Sequence, residues 1–131
     1  MKIEDILIAT AAHLRAMQLS YHKQHNLATG PSFSSDHQLF SDFYNDVEGD
    51  YDSFVEHAIG FGFDEVADPS EQLDSIKAAL SLDNTALEEQ LCALCDMVEE
   101  DPICTDGFEQ LLGDICRHSE VRSYKLRQRS K

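Results

Sequence analysis

Apolar residues recur at three- and four-residue spacing along most of the 131-residue chain, and no segment shows the strict alternation of a β-strand. The first periodic segment runs from about Ile3 to His25, and the second from His37 to Gly60. Two more begin near Asp83 and near Thr105, residue types that cap helix N-termini well. The spacing therefore predicts an all-α fold of four main helices, the third and fourth of them rather short, in one domain, residues 1–131.

The links between these segments carry turn residues. A Gly-Pro pair at residues 30–31 ends the first helix, and Ser35 with Gln38 fits a capping box for the second. After residue 62 a polar crossover leads into a short helix that begins at Pro69 or Ser70. Its apolar stripe is predicted to consist of Leu73, Ile76, Ala79 and Leu80.

Two histidines and two carboxylates stand at regular distances around the second helix. His25 and His37 are twelve residues apart, on either side of the Gly-Pro pair, and Asp52 and Glu56 follow fifteen and nineteen residues after His37. Two imidazoles and two carboxylates form a ligand set that suits iron, manganese or zinc. The other interpretation of Asp52 and Glu56 is a solvated acidic face, since this segment is rich in Asp and Glu.

Helix geometry limits how these four side chains can meet. On one helix His37, Asp52 and Glu56 lie on the same face. At about 1.5 Å rise per residue, however, His37 and Asp52 are roughly 22 Å apart along the axis. Two copies of the helix that cross antiparallel about a two-fold axis bring His37 of each copy to Asp52 and Glu56 of the other. The spacing therefore predicts a dimer with two symmetric sites.

This combination of residues resembles the ferroxidase signature of the Dps family, the mini-ferritins. Gly30 and Phe33 stand where that family has its Gly and Phe between the two histidines. The Ile-Gly-Phe-Gly sequence of residues 59–62 resembles the end of the family's second helix. The likeness extends over about residues 14–62. Ser41 stands where the family often has an additional Asp, and Asn26 where many members have a Trp.

The resemblance implies a ferritin-like four-helix bundle with a short extra helix in the crossover between the second and third helices. It also implies that His25 and His37 of one subunit, with Asp52 and Glu56 of its two-fold partner, bind iron or another divalent metal. The implied activity is oxidation of Fe(II) by hydrogen peroxide or dioxygen. Ferric iron would then be stored in a hollow homo-dodecamer, which protects the cell against oxidative damage. An iron centre inside one bundle is disfavoured, because the chain lacks a pair of Glu-x-x-His motifs.

Charge is distributed unevenly along the chain. The formal net charge is −15, which favours cations and disfavours nucleic acid, yet six of the ten Lys and Arg residues lie in the last fifteen positions. This basic tail, about residues 122–131, leaves DNA binding open as an alternative function. The other interpretation of the tail is a solvated helix end, where cations interact favourably with the helix dipole. A helical interaction protein without ferroxidase activity is a third hypothesis. The candidate DNA contacts are Lys125, Arg127, Arg129 and Lys131, and the candidate pore residues are Glu99, Glu100, Asp101 and Asp106.

The remaining sequence features indicate a soluble cytoplasmic protein. No secretory signal is visible, and no apolar run approaches the length that spans a membrane. Because no secretory signal is present, we expect the four cysteines of the chain to be free thiols rather than parts of a disulfide framework. Cys92 and Cys95 form a Cys-x-x-Cys sequence inside a helical pattern, which favours small core residues over a metal or redox site. The four cysteines are Cys92, Cys95, Cys104 and Cys116.

Overall fold

The computed structural model describes residues 1–131 and consists of helices without a β-strand. None of these helices combines the length and the apolar character needed to cross a membrane. The predicted all-α class is confirmed, and a short helix does lie between the second and third long ones. The helices are α1 (Ile3–Leu27), α2 (Phe33–Gly60), α3 (Pro69–Ala79), α4 (Asn84–Glu99) and α5 (Asp106–Arg129), with a 3₁₀ turn at Asp64–Ala67.

Three of the helices begin at side chains that cap their first turn. The carboxylate of Asp83 accepts a hydrogen bond from the Ala86 amide at the start of α4, and the Thr105 hydroxyl accepts one from the Phe108 amide at the start of α5. Asp68 caps α3, which has a proline at its first position. Each cap satisfies an amide that has no partner inside the helix. The predicted starts near Asp83 and Thr105 are therefore confirmed.

The predicted start of α2 is wrong. The helix begins at Phe33, so Ser35 lies inside its first turn, and the Ser35 hydroxyl donates to the Ser32 carbonyl instead of capping the helix. Gln38 donates to Asp42 one turn further on, so the predicted capping box does not form. The turn before α2 is closed by Gly30, which has φ +82°, a conformation that glycine adopts at little cost.

Helix α1 lies at the centre of the packing and contacts α2, α3 and α4, while α5 packs against α4 and α2. Alanines allow this close approach, since Ala11, Ala12 and Ala16 are completely buried. Leucine and aromatic side chains of α1 and of the other helices fill the remaining space, and each one buried contributes about 1.5–3 kcal/mol. Fully buried examples are Leu7, Leu14, Phe54, Leu87, Leu91, Phe108 and Leu112.

Helix α3 docks through only half of the predicted apolar stripe, since Ala79 is buried and Ile76 packs against the core. Leu73 is 56% exposed and Leu80 is 45% exposed, whereas Gln72 is buried. The Gln72 amide donates hydrogen bonds to the Tyr51 hydroxyl and to the Val66 carbonyl. A buried amide with two partners anchors α3, because its polar atoms are satisfied inside the protein. Hydrophobic spacing alone could not indicate this polar anchor.

Candidate functional site

His25 and His37 meet where the turn between α1 and α2 reverses the chain. His25 Nδ1 lies 2.7 Å from the carbonyl oxygen of His37, and His37 Nδ1 lies 3.0 Å from the carbonyl oxygen of His25. The two imidazole rings are stacked with their centroids 3.7 Å apart. Both residues are half-buried. The short link between the helices therefore holds the two rings in one fixed arrangement.

These contacts determine which ring nitrogens are available. A carbonyl oxygen can only accept a hydrogen bond, so Nδ1 is the donor in both His25 and His37. In the neutral imidazole the lone pair then lies on Nε2 of each ring. Metal-binding histidines commonly donate their other ring N–H to a backbone carbonyl, which fixes the tautomer and the ring orientation. The histidine pair has this arrangement.

Aromatic side chains surround the histidine pair. The Phe33 ring stacks on His37 with centroids 5.1 Å apart, and Tyr44 packs edge-on against His25 at 5.5 Å. His22, one turn before His25, stacks on the Tyr44 ring with centroids 4.3 Å apart. Aromatic packing of this kind restricts the rotation of the rings. The histidine pair is therefore supported by side chains as well as by the backbone.

Asp52 and Glu56 lie one helical turn apart on α2, far from the histidine pair of the same chain. Both are exposed, and neither makes an ion pair within the chain. Because α2 is one continuous helix from residue 33 to residue 60, the carboxylate of Asp52 is roughly 22 Å along the axis from His37. The fold thus brings the two histidines together and, separately, the two carboxylates.

A second cluster of polar side chains lies inside the protein, between α1, α2, α4 and α5. Its centre is Arg122, which is only 2% exposed. The guanidinium donates to both carboxylate oxygens of Glu88, at 2.8 and 3.1 Å, and to the carboxylate of Asp46. Tyr21 and Ser119 also donate to Glu88. No buried side-chain N or O atom in the protein lacks a partner, so this network is fully satisfied.

The electrostatics of this network keep the guanidinium charged. Burial alone would lower the pKa of Arg122, but the hydrogen bonds and negative charge of Glu88 and the charge of Asp46 raise it above its ordinary value. Burial and the nearby Glu88 carboxylate raise the pKa of Tyr21, so its hydroxyl remains a donor. The network therefore acts as a buried ion pair that links α1, α2, α4 and α5.

Asp46, Asp50 and His118 form a potential metal-binding group beside this ion pair. Their ligand atoms all lie within 4.8 Å of one another, and His118 Nδ1 is 2.9 Å from Asp50. Burial raises the pKa of Asp50, although the interaction with His118 opposes the rise. The guanidinium of Arg122 already bonds to Asp46 and lies 4.0 Å from Asp50. Arginine therefore supplies the positive charge that balances these carboxylates.

Local spacing in the sequence is not sufficient to predict this second cluster. Asp46 and Asp50 are four residues apart on α2, but they stand in an acidic segment where such spacing is common. Their partner His118 lies 68 residues after Asp50, and Arg122 lies 76 residues after Asp46. Contacts at such separations depend on how α5 packs against α2, which local spacing does not determine.

The basic residues at the end of the chain lie on α5, except Lys131, which follows the helix, and they are not equivalent. Arg122, assigned to the basic tail from the sequence, is instead buried in the ion-pair network. Arg129 forms two hydrogen bonds with the carboxylate of Asp36, at 2.7 and 3.0 Å. The exposed cations without an ion-pair partner are Lys125, Arg127 and Lys131.

Acidic side chains gather where α4 ends and α5 begins. Glu99, Glu100 and Asp106 are exposed, whereas the Asp101 carboxylate accepts a hydrogen bond from the Ile103 amide. Partial burial, with the charges of Asp96 and Glu109, raises the pKa of Glu99. This end of the molecule therefore carries concentrated negative charge.

Comparisons with models of protein families, with curated proteins and with solved structures find no match for this chain.

Proposed function

We propose that this chain is a Dps-like mini-ferritin that binds and oxidises Fe(II) at a site shared between two subunits. The observation that carries the proposal is the histidine pair, in which both Nδ1 atoms are bonded to backbone and both Nε2 atoms remain available. The exposed Asp52 and Glu56 carboxylates, without an ion-pair partner in their own chain, complete the ligand set in the proposed dimer.

The outer face of α2 supports an antiparallel dimer. If His37 faces Asp52 of a second copy, Asn45 lies close to the two-fold axis, because it is midway between them in sequence. Asn45 is exposed, Ser41 is half-buried, and a Cβ at Gly49 would meet nothing within 4 Å, so this part of the helix has room for a neighbour. Exposed apolar residues lie near both ends of α2, namely Leu27, Phe33, Ile59 and Phe61.

The chemistry assigned to this site is the transfer of two electrons from two Fe(II) ions to one hydrogen peroxide. The peroxide O–O bond breaks, two protons are taken up, and two waters and two Fe(III) are formed. Asp52 and Glu56 would stabilise the higher charge of Fe(III), because hard carboxylate oxygens bind Fe(III) more strongly than they bind Fe(II). His25 and His37 would hold the substrate ion without adding negative charge. Dioxygen is the alternative oxidant.

The acidity of the chain supports storage in a larger assembly. The net charge of −15 would raise the local concentration of Fe(II) at the protein surface. The negative charge at the junction of α4 and α5, which includes Glu99, Glu100 and Asp106, is our candidate for the entry pore of a hollow dodecamer. A ferritin-like bundle, formed by the four long helices, is part of the same proposal. Fe(II) and other divalent cations that suit the ligand set are the expected substrates, and the cytoplasm the expected location.

The proposal is tested by peroxide-driven Fe(II) oxidation, followed by absorbance on protein whose mass in solution is known. We expect the double variants His25→Ala/His37→Ala and Asp52→Ala/Glu56→Ala to lose the rapid phase while the assembly persists. Glu71→Ala/Asp74→Ala is the matched control, since it removes two exposed carboxylates of α3. Rapid oxidation that survives loss of both histidines would refute the ferroxidase assignment.

DNA binding is the second candidate function, and it rests on Lys125, Arg127 and Lys131. Arg129 is engaged by Asp36, and the negative charge of the remaining chain opposes approach to phosphates. A salt-dependent gel shift with the intact protein and with residues 125–131 removed would discriminate the two functions. No shift with the intact protein would exclude DNA binding. A helical interaction protein without ferroxidase activity is the outcome if both tests are negative.

A further inference from the structure

One contact joins the last turn of α5 to the first turn of α2. The Arg129 guanidinium donates two hydrogen bonds to the Asp36 carboxylate, one to each oxygen, at 2.7 and 3.0 Å. The same guanidinium lies over the Phe40 ring, with its Cζ atom 5.3 Å from the ring centroid. A guanidinium that binds both oxygens of a carboxylate and also lies on an aromatic ring is held in a narrow range of orientations. Arg129 is therefore fixed on α2 although 41% of its side chain is exposed.

The two partners of Arg129 stand on either side of His37 in the sequence of α2. Asp36 directly precedes His37, and Phe40 follows it by three residues. Because Asp36 and Phe40 are four residues apart, they lie on one face of the helix, one turn from each other. The Arg129 bridge, formed by Asp36, Phe40 and Arg129, therefore spans the turn of α2 that carries His37.

Both sides of the Arg129 bridge are anchored in the core. Phe40 is buried, and its ring packs against the rings of Tyr21 and Phe43, with centroids 6.0 and 5.8 Å apart. On α5 the preceding turn is held by Leu126, which is buried as well. The bridge thus connects the start of α2 to the packed interior of the protein.

The start of α2 has no side-chain cap, so other contacts must keep it wound. Helices α3, α4 and α5 each begin with a side-chain oxygen that accepts a hydrogen bond from a first-turn amide, whereas Ser32 at the N-cap position of α2 makes no such bond. Amides in the first turn have no partner inside the helix, and helix ends fray readily. His37 is the fifth residue of α2. Fraying to this point would break the hydrogen bond from His37 Nδ1 to the His25 carbonyl oxygen.

We propose that Arg129 is a positioning residue for the histidine pair. By joining Asp36 to Phe40 it keeps the first turns of α2 wound, and it thereby keeps the His37 ring bonded to the His25 carbonyl. Arg129 bonds to neither histidine, so its effect is indirect. The importance of this role for iron rests on the proposed function, but the bridge itself belongs to the metal-free chain and can be tested without iron.

The first experiment compares metal-free wild type with three full-length variants. Arg129→Gln removes the bridge, whereas Arg129→Lys keeps the positive charge but cannot reproduce the planar two-point contact. Arg117→Gln is the matched control, since it removes another exposed arginine of α5, one that pairs with Asp114. Amide hydrogen exchange of residues 37–40 and the nitrogen-15 shifts of the His37 ring are measured for each protein. Circular dichroism and the mass in solution check that each variant is folded and assembled like wild type.

The variants should differ at the start of α2. In Arg129→Gln we expect the amides of residues 37–40 to exchange about tenfold faster, the combined effect of losing an ion pair and a cation–π contact. The His37 ring nitrogens should shift towards the values of a ring whose proton exchanges between both nitrogens. Arg129→Lys should lie between this variant and wild type, and Arg117→Gln should match wild type. Unchanged exchange and an unchanged His37 tautomer in Arg129→Gln would overturn the proposal, as would equal changes in Arg117→Gln.

The second experiment measures peroxide-driven oxidation at increasing Fe(II) concentrations, which gives KM and kcat separately. Arg129→Gln should raise the KM for Fe(II) about tenfold, the lower end of the loss in metal affinity when an outer-shell partner of a metal-binding histidine is removed. The kcat should change little, because all four proposed ligands remain, and Arg129→Lys should restore part of the KM. A lower kcat with an unchanged KM would overturn the positioning role. If wild type oxidises no Fe(II), the proposed function fails, whereas the metal-free comparison still decides whether Arg129 positions His37.

Discussion

His25 and His37 donate their Nδ1–H groups to each other's backbone carbonyl oxygens, at 2.7 and 3.0 Å, and their rings stack 3.7 Å apart. These two hydrogen bonds connect the end of α1 to the start of α2. They also leave the Nε2 lone pair of each ring directed away from the backbone. In the proposed iron site, this arrangement would lower the reorganisation needed to bind the metal, because the two rings are already held in place within a single chain.

The tautomers of the two histidines are a direct consequence of this arrangement. In protein without metal, near neutral pH, we expect both rings to carry the proton on Nδ1, because each bonds to an oxygen that can only accept. Nitrogen-15 chemical shifts, measured through long-range couplings to the ring protons, distinguish the two tautomers. His57→Gln helps with assignment, since this ring lies against Phe108, away from the pair. Nε2–H tautomers in the apo protein would contradict the described geometry.

The buried ion pair between Arg122 and Glu88 is predicted to contribute strongly to the free energy of unfolding. Arg122→Met removes the guanidinium and leaves the Glu88 carboxylate buried without its charged partner. Loss of one partner of a buried pair costs about 3–5 kcal/mol of the free energy of unfolding. Urea unfolding followed by circular dichroism measures this difference.

Arg117→Met is the matched control for that measurement. Arg117 pairs with Asp114 on the surface of the same helix, with both side chains more than half exposed. A surface pair of this kind contributes little, so we expect a change within about 0.5 kcal/mol. If the two variants were equally stable, the buried network would not link the helices as described.

The raised pKa of Asp50 predicts how the free energy of unfolding changes with pH. Burial raises its pKa in the folded state, so the folded protein holds the Asp50 proton more tightly than the unfolded chain does. The stability from this proton is fully present below the unfolded pKa and is lost as pH rises through the folded pKa. Asp50→Asn, which does not ionise, should therefore gain stability relative to wild type between acid and neutral pH. A difference in urea midpoint that did not vary with pH would contradict this assignment.

The lowered pKa of Cys116 predicts how its reactivity towards alkylating reagents changes with pH. Because hydrogen bonds from Cys95 and Cys92 lower its pKa to about 7, despite burial, its alkylation rate should rise through half its maximum near neutral pH. Cys104, with its raised pKa, should reach that point only in the alkaline range. Cleavage after glutamate puts Cys104 and Cys116 in different peptides, residues 101–109 and 110–120, so mass spectrometry follows both thiols in one reaction with iodoacetamide. Equal profiles for the two cysteines would contradict the lowered pKa of Cys116.

Local spacing was sufficient to predict the helices but not every end of them. The capping residues Asp83 and Thr105 were identified because a helix start depends on a few neighbouring residues. The start of α2 was misplaced by three residues, since Ser35 fits a capping box in sequence, whereas the N-cap position is occupied by Ser32, directly after the Gly30 turn. Helix ends depend on the conformation of the preceding turn, which the residue types only partly determine.

The candidate site, like the helices, was only partly predicted from the sequence. His25 and His37 were identified from their spacing, and the turn between α1 and α2 does bring them together, but the reciprocal backbone contacts were not foreseen. The role of Arg122 was missed, because its partners lie on other helices far along the chain.

Subunit complementation tests the central claim, the shared iron site, most directly. His25→Ala/His37→Ala lacks the imidazoles and Asp52→Ala/Glu56→Ala lacks the carboxylates, so each variant alone should be inactive in peroxide-driven Fe(II) oxidation. In a mixed dimer, one of the two sites would receive its histidines from one variant and its carboxylates from the other, and would be intact. Co-expression of the two variants at equal levels makes about half of the dimers mixed.

The co-expressed protein should therefore recover about a quarter of the wild-type oxidation rate per subunit. Recovery at that level would mean that two chains share each site. A mixture as inactive as its parents, although mixed dimers are shown to form, would contradict the account, because it would mean that the histidines and the carboxylates do not act together at one site.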